Sequence, residues 1–161
     1  MRTYKALATM TILSCCLGYG ANAAWAQVND HSAHHATGLE HPKLNNGEKW
    51  RTDANLRRGM ERIRDELMAG IDAIHNGKMS AKQYQGLAKK VNDQISFIMQ
   101  NCKLDKEADT ALHLVLAELV AGTDAISAAA DDHSRHMGAE QILHGLQNYA
   151  SHFEHPGWQV K

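Results

Sequence analysis

Residues 53–77 read DANLRRGMERIRDELMAGIDAIHNG, and this stretch decides the fold. Leu56, Met60, Ile63, Leu67, Ile71 and Ile74 recur at three- and four-residue steps, the spacing that lines one face of a helix with a 3.6-residue turn. The pattern predicts an amphipathic helix from about Asp53 to His75, stopped by Asn76-Gly77. Downstream it recurs three times. Ser80 is the predicted N-cap of a second helix whose apolar face is Tyr84, Leu87, Val91, Ile95, Ile98 and Cys102. Asp105 opens a third with the stripe Leu112, Val115, Leu119 and Ile126, and with Leu116 and Val120 beside it. A fourth runs roughly from Ser134 to Phe153, with Met137, Ile142, Leu146, Tyr149 and Phe153 inward, and His155-Pro156-Gly157 ends it. The only two prolines, Pro42 and Pro156, bracket this whole region; a proline-free interior suits continuous helices. Amphipathic helices of about 20 residues are marginal alone in water, so short loops and matching apolar faces predict an all-α, up-down-up-down four-helix bundle over residues 49–161.

The chain upstream has a different character. Residues 27–48 are polar and aperiodic and carry His31, His34, His35 and His41, which reads as a disordered histidine-rich arm. Residues 1–26 have the three parts of a secretory signal peptide. Arg2 and Lys5 form a positive start, Ala6 to Leu17 an apolar run, and the small-residue end contains Ala21-Asn22-Ala23 and Ala24-Trp25-Ala26. The apolar run is short of the roughly 20 residues a spanning helix needs. The expectation is a periplasmic protein, not membrane-spanning, released by cleavage after Ala26 or Ala23. The whole chain has net charge −1; losing Arg2 and Lys5 takes this to about −3, which argues against nucleic acid as a partner. Cys15 and Cys16 leave with the signal. Cys102 then has no intramolecular partner, so it is buried, joined to a second copy in a homodimer, or a metal ligand.

In an up-down-up-down bundle the helix 1 and helix 3 starts share an end with the helix 2 and helix 4 finishes. Met60, Met99, Cys102, His113, His152 and His155 all fall within roughly 12 Å of that end along the axis. Two thioethers, a thiol and imidazoles are soft and borderline donors, and such a set selects copper. The arm histidines His31, His34, His35 and His41 form a second, looser capture site. His133, His136 and His144 read as solvent-facing, with His136 and Glu140 an i,i+4 surface pair. Trp158, after Pro156-Gly157, reads as a cover over the bundle end, with Trp50. No glycine-rich phosphate loop, serine nucleophile pattern or paired acid and base stands out, so an enzyme is not expected.

The segment Asn55-Leu56-Arg57-Arg58-Gly59-Met60-Glu61 resembles the first helix of the cytochrome b562 family, periplasmic four-helix bundles. At the other end of the chain, Tyr149 and His152 extend the likeness. That family ligates b-type haem with a methionine early in helix 1 and a histidine late in helix 4. The resemblance implies Met60 and His152 as axial ligands and an electron carrier. The histidine arm, Cys102 and the His-Phe-Glu-His-Pro-Gly-Trp ending depart from the family.

Three functions therefore stand at this point. The first is a non-catalytic periplasmic metal-binding protein, copper foremost, for buffering, delivery or resistance. The second is a b-type haem carrier. The third is a bundle without cofactor that serves a structural or partner-binding role.

Overall fold

A computed structural model describes residues 42–160. The signal-peptide segment and His31, His34, His35 and His41 lie outside the described residues. Four helices account for most of the rest, and no strand occurs among the described residues: α1 is Ala54–His75, α2 Ala81–Asn101, α3 Lys106–Ala128 and α4 Asp132–His152.

Local chemistry sets the ends. Asp53 caps α1 by accepting from the Leu56 amide at 2.6 Å, and its second oxygen accepts from the Lys103 amide at 2.6 Å, tying the α2–α3 connection to the α1 start. Gly77, with φ +63, takes the left-handed conformation that closes the first helix. Ser80 and Gln83 form a reciprocal capping box. Asp105 stands at the cap position of α3 without a side-chain cap bond. Asp131 caps α4 through the Ser134 amide and hydroxyl, and these bonds hold its carboxyl below the ordinary carboxylate range.

Consecutive helices run antiparallel. The α1 start meets the α2 finish where Asn55 donates to the Asn101 carbonyl. The α2 start meets the α3 finish where Gln85 donates to the Ile126 carbonyl. The α1 finish meets α4 near its start where His75 faces Glu140. The core along the axis comprises Leu56, Met60, Ile63 and Leu67 of α1, Val91 and Ile98 of α2, Val115, Leu119 and Ile126 of α3, and Ile142, Leu146 and Tyr149 of α4. Each such large side chain contributes about 1.5–3 kcal/mol when fully buried. α3 is the one described helix long and apolar enough to cross a membrane, and half of that apolar window is buried within the bundle.

α3 and α4 approach through glycine. A Cβ placed on Gly122 would stand 2.8 Å from the Gly138 carbonyl oxygen, and one on Gly138 would stand 2.8 Å from that of Gly122. This contact corrects the expected inner face of the fourth helix. The buried stripe follows Gly138, Ala139, Ile142, Gly145, Leu146 and Tyr149, which turns Met137 outward, 53% exposed. Ile71 and Val120, expected inside, are only half-buried.

The two ends of the folded chain clasp each other. The Trp50 amide donates to the His152 carbonyl and the Glu154 amide to the Trp50 carbonyl, both at 2.8 Å, while Thr52 and Lys49 donate to the Glu154 and Ala150 carbonyls. The Trp50 indole donates to the Lys43 carbonyl at 2.7 Å, and Pro42 is buried. Residues 42–48, read from sequence as part of a disordered arm, are thus a turn anchored to the bundle. The cause is Trp50, whose indole both packs on the core and holds Lys43.

Candidate metal centre

The bundle end expected to gather soft donors holds them in different environments. Met60 is fully buried in hydrocarbon, whereas Met99 is 64% exposed. His113 is also exposed, at 57% for its side chain, with Nδ1 against the Asp109 carbonyl of its own helix at 2.8 Å. The physical reason is helical phase: α3 turns Ala111, Leu112, Val115 and Leu116 inward, and His113 falls on the outer side of that stripe. His152 engages Nδ1 with the Asn148 carbonyl. Neither Met60 nor His152, the pair the haem reading needs, lines any of the five main clefts among the described residues.

Cys102 is a free, half-buried thiol at the α2 C-cap. Burial, with the nearby Asp53 and Asp109 charges, pushes it up to about 11. A thiol so placed stays protonated at neutral pH and is a poor nucleophile. Alkylation by iodoacetamide at pH 8 is therefore expected to run far more slowly in the folded protein than in urea; equal rates would contradict the assigned environment.

His155 is spent on structure. Its side chain is 2% exposed. Nδ1 meets the Tyr149 hydroxyl at 2.9 Å, and Nε2 meets Glu61 Oε1 at 3.1 Å. A carboxylate only accepts, so the network assigns the proton to Nε2 and makes Nδ1 the acceptor of the Tyr149 hydroxyl. Trp158 covers this pair edge-on to Tyr149, and Arg64 lies over the indole at 5.0 Å, completing the expected cover over the bundle end.

The other end of the bundle brings together residues the sequence reading did not select as ligands. His75, the last residue of α1, places Nε2 3.7 Å from Glu140 Oε1, and His136 of α4 places its own Nε2 3.7 Å from the same oxygen. Glu140 is the one carboxylate among the described residues approached within 4 Å by two imidazoles. His75 and His136 also line a cleft of about 230 Å³ with Ile74, Met79, Tyr84, Asp132 and His133. Tyr84, in the same cleft, has its hydroxyl raised by burial first and then by the Asp132 and Glu140 charges, against the pull of Arg135. Arg135 is itself tied to Asp132 at 2.7 Å. No group of three His, Cys, Asp or Glu side chains placed to hold a metal ion occurs among the described residues; His75 and His136 each meet Glu140 as partly exposed side chains. The His136–Glu140 half is visible in the sequence. His75 joins it only through the return of α4 beside α1.

A further buried carboxylate lies between α3 and α4. Glu118 accepts from Asn148 at 2.7 Å and pairs with His144 Nδ1, so both its oxygens are satisfied. Comparisons with protein-family models, with curated proteins and with solved structures find no match to this chain.

Proposed function

We propose that this chain is an exported, non-catalytic metal-binding protein, with copper its first ion, that buffers or delivers the metal. The observation that supports this reading is the pair of imidazole nitrogens from α1 and α4 on one carboxylate oxygen, each at 3.7 Å. Two donors about 2.0–2.2 Å from a shared ion stand roughly 3–4 Å apart. Each imidazole nitrogen is therefore near donor spacing from Glu140 Oε1, and side-chain rotation has to bring all three groups onto one ion. Two imidazoles and one carboxylate suit Cu(II) and Zn(II), and Cu(II) binds such donors more tightly. The negative charge of Glu140 and Asp132 offsets the ion's charge, and solvent fills the open positions. The histidine arm adds a loose capture site, and the bundle site retains the ion. Protons compete for the imidazoles, so affinity falls as pH drops.

Equilibrium dialysis of the full mature chain against Cu(II), read by elemental analysis, tests this. His136→Ala is expected to remove the tightest-bound equivalent while leaving the helical circular dichroism unchanged. Retention of that equivalent by the variant would contradict the reading.

A further inference from the structure

We propose that Tyr149 is a redox-active tyrosine, which yields one electron through Trp158 to a peroxide-derived radical in solution and its phenol proton to His155. The inference is independent of the metal site at the other end of the bundle.

Two contacts meet at this phenol, one for the electron and one for the proton. The Tyr149 ring is fully buried and lies edge-on to Trp158, with the centroids 4.9 Å apart. Trp158 is only half-buried and lines an open cleft of about 430 Å³ with Lys49, Phe153 and His155. Of the two rings it is the one a solute reaches. The Tyr149 hydroxyl meets His155 Nδ1 at 2.9 Å, within reach of direct proton transfer. Behind it, His155 Nε2 meets Glu61 Oε1 at 3.1 Å, and the Glu61 side chain is 48% exposed. A line of hydrogen bonds thus runs from the buried phenol to a carboxylate in solvent. The bonds that hold this end of the bundle also give the phenol a place to send its proton.

Charge and hydrogen bonding direct the oxidation inward. The radical that takes an electron from Trp158 is itself reduced and leaves an indole radical cation. Two features keep positive charge from settling there. Arg64 lies over the indole at 5.0 Å and repels it. The buried indole N–H has no hydrogen-bond partner among the described residues, so no base stands ready for its proton. Tyr149 then gives one electron to Trp158, which returns to the neutral indole. In the same step the phenol O–H bond breaks and an N–H bond forms at His155 Nδ1. His155 becomes an imidazolium whose Nε2–H stays on the Glu61 carboxylate, and Tyr149 becomes a neutral phenoxyl radical. Ionisation alone does not start this sequence, because burial pushes the Tyr149 hydroxyl well above the ordinary phenol range. Burial, the first influence on His155, lowers the imidazole, so it is neutral at pH 7.5 and Nδ1 is an acceptor.

Photogenerated ruthenium(III) trisbipyridine serves as the one-electron oxidant of a test on the full chain. Transient absorbance and electron paramagnetic resonance are expected to show an indole radical first and a tyrosyl radical after it. Tyr149→Phe removes only the hydroxyl. It is expected to abolish the tyrosyl signal and prolong that of the indole, whereas Tyr84→Phe changes neither. Glu61→Gln alters an exposed side chain, so it tests the proton path without disturbing the core. Its amide can donate to Nε2, which places the imidazole proton on Nδ1, facing the phenol. The tyrosyl radical is then expected to form at least about tenfold more slowly. A tyrosyl signal that survives in Tyr149→Phe, or is absent from the wild type, overturns the inference. An unchanged rate in Glu61→Gln overturns the transfer of the proton to His155.

Discussion

Gly138→Ala lowers the stability of the bundle by about 2 kcal/mol or more, at the upper part of the range for overpacked interiors. On propensity alone the substitution helps, because alanine is favoured over glycine in a helix interior by about 1 kcal/mol. The contact with α3 reverses the sign. The added Cβ meets the Gly122 carbonyl oxygen and Ile126 Cγ1, each at 2.8 Å, and the Ile126 amide nitrogen at 2.9 Å. Two of those three atoms are backbone and cannot rotate aside, so α3 and α4 must separate. Separation opens the packing of Leu119, Ile126, Ile142 and Leu146, all fully buried. For a domain of this size the change corresponds to a fall in Tm of roughly 6–10 °C. Gly86→Ala is the control. Nothing lies within 4 Å of its Cβ position, so only propensity acts and the variant is expected to gain stability. Thermal unfolding of the two variants, followed by circular dichroism, checks the pair; a Gly138→Ala protein as stable as wild type would show that the close helix contact is not real.

His155→Ala is the second large loss, expected at about 2–4 kcal/mol near pH 7.5. The variant strands the Tyr149 hydroxyl, which sits in a fully buried residue, and leaves a void beneath Trp158. Its pH dependence identifies the cause. Burial is the first influence on the imidazole and lowers it below the ordinary 6.5; Glu61 pulls the other way, and Arg57 and Arg64 reinforce burial. The unfolded chain therefore binds a proton more readily than the folded one. Stability from His155 is fully present above 6.5 and is lost as pH falls from there through the lower folded value. Urea midpoints for wild type and variant should converge between pH 7.5 and 5.5. A gap that widens on acidification would mean that the Glu61 pairing outweighs burial.

The helices and their order were legible because apolar spacing and capping residues are local. Ser80 with Gln83, Gly77, and Asp53 in its cap bond to Leu56 all act within a few residues of where they stand, and the sequence displays each of them. The rotation of α4 was not legible, because it is set by Gly122 and Gly138 meeting across two helices rather than by the apolar pattern of either. Met137 reads as inward for that reason and lies outward. The expected donor end shows the same division. The axial level of Met99 and His113 follows from counting residues, but their outward rotation follows from which neighbours fill the core. His136 and Glu140 were visible as an i,i+4 pair. The arrival of His75 on the same oxygen needed the antiparallel closure of α1 on α4.

Paramagnetic broadening by Cu(II), added below one equivalent to the isotopically labelled protein, locates the ion directly by NMR. Within the bundle, the signals of His75, Met79, His133, His136 and Glu140 are expected to broaden first, while those of Met60, Cys102, His113 and His152 at the opposite end stay sharp. Broadening that begins around Cys102 and His113, or that never leaves the arm histidines His31, His34, His35 and His41, would contradict a metal site between α1 and α4.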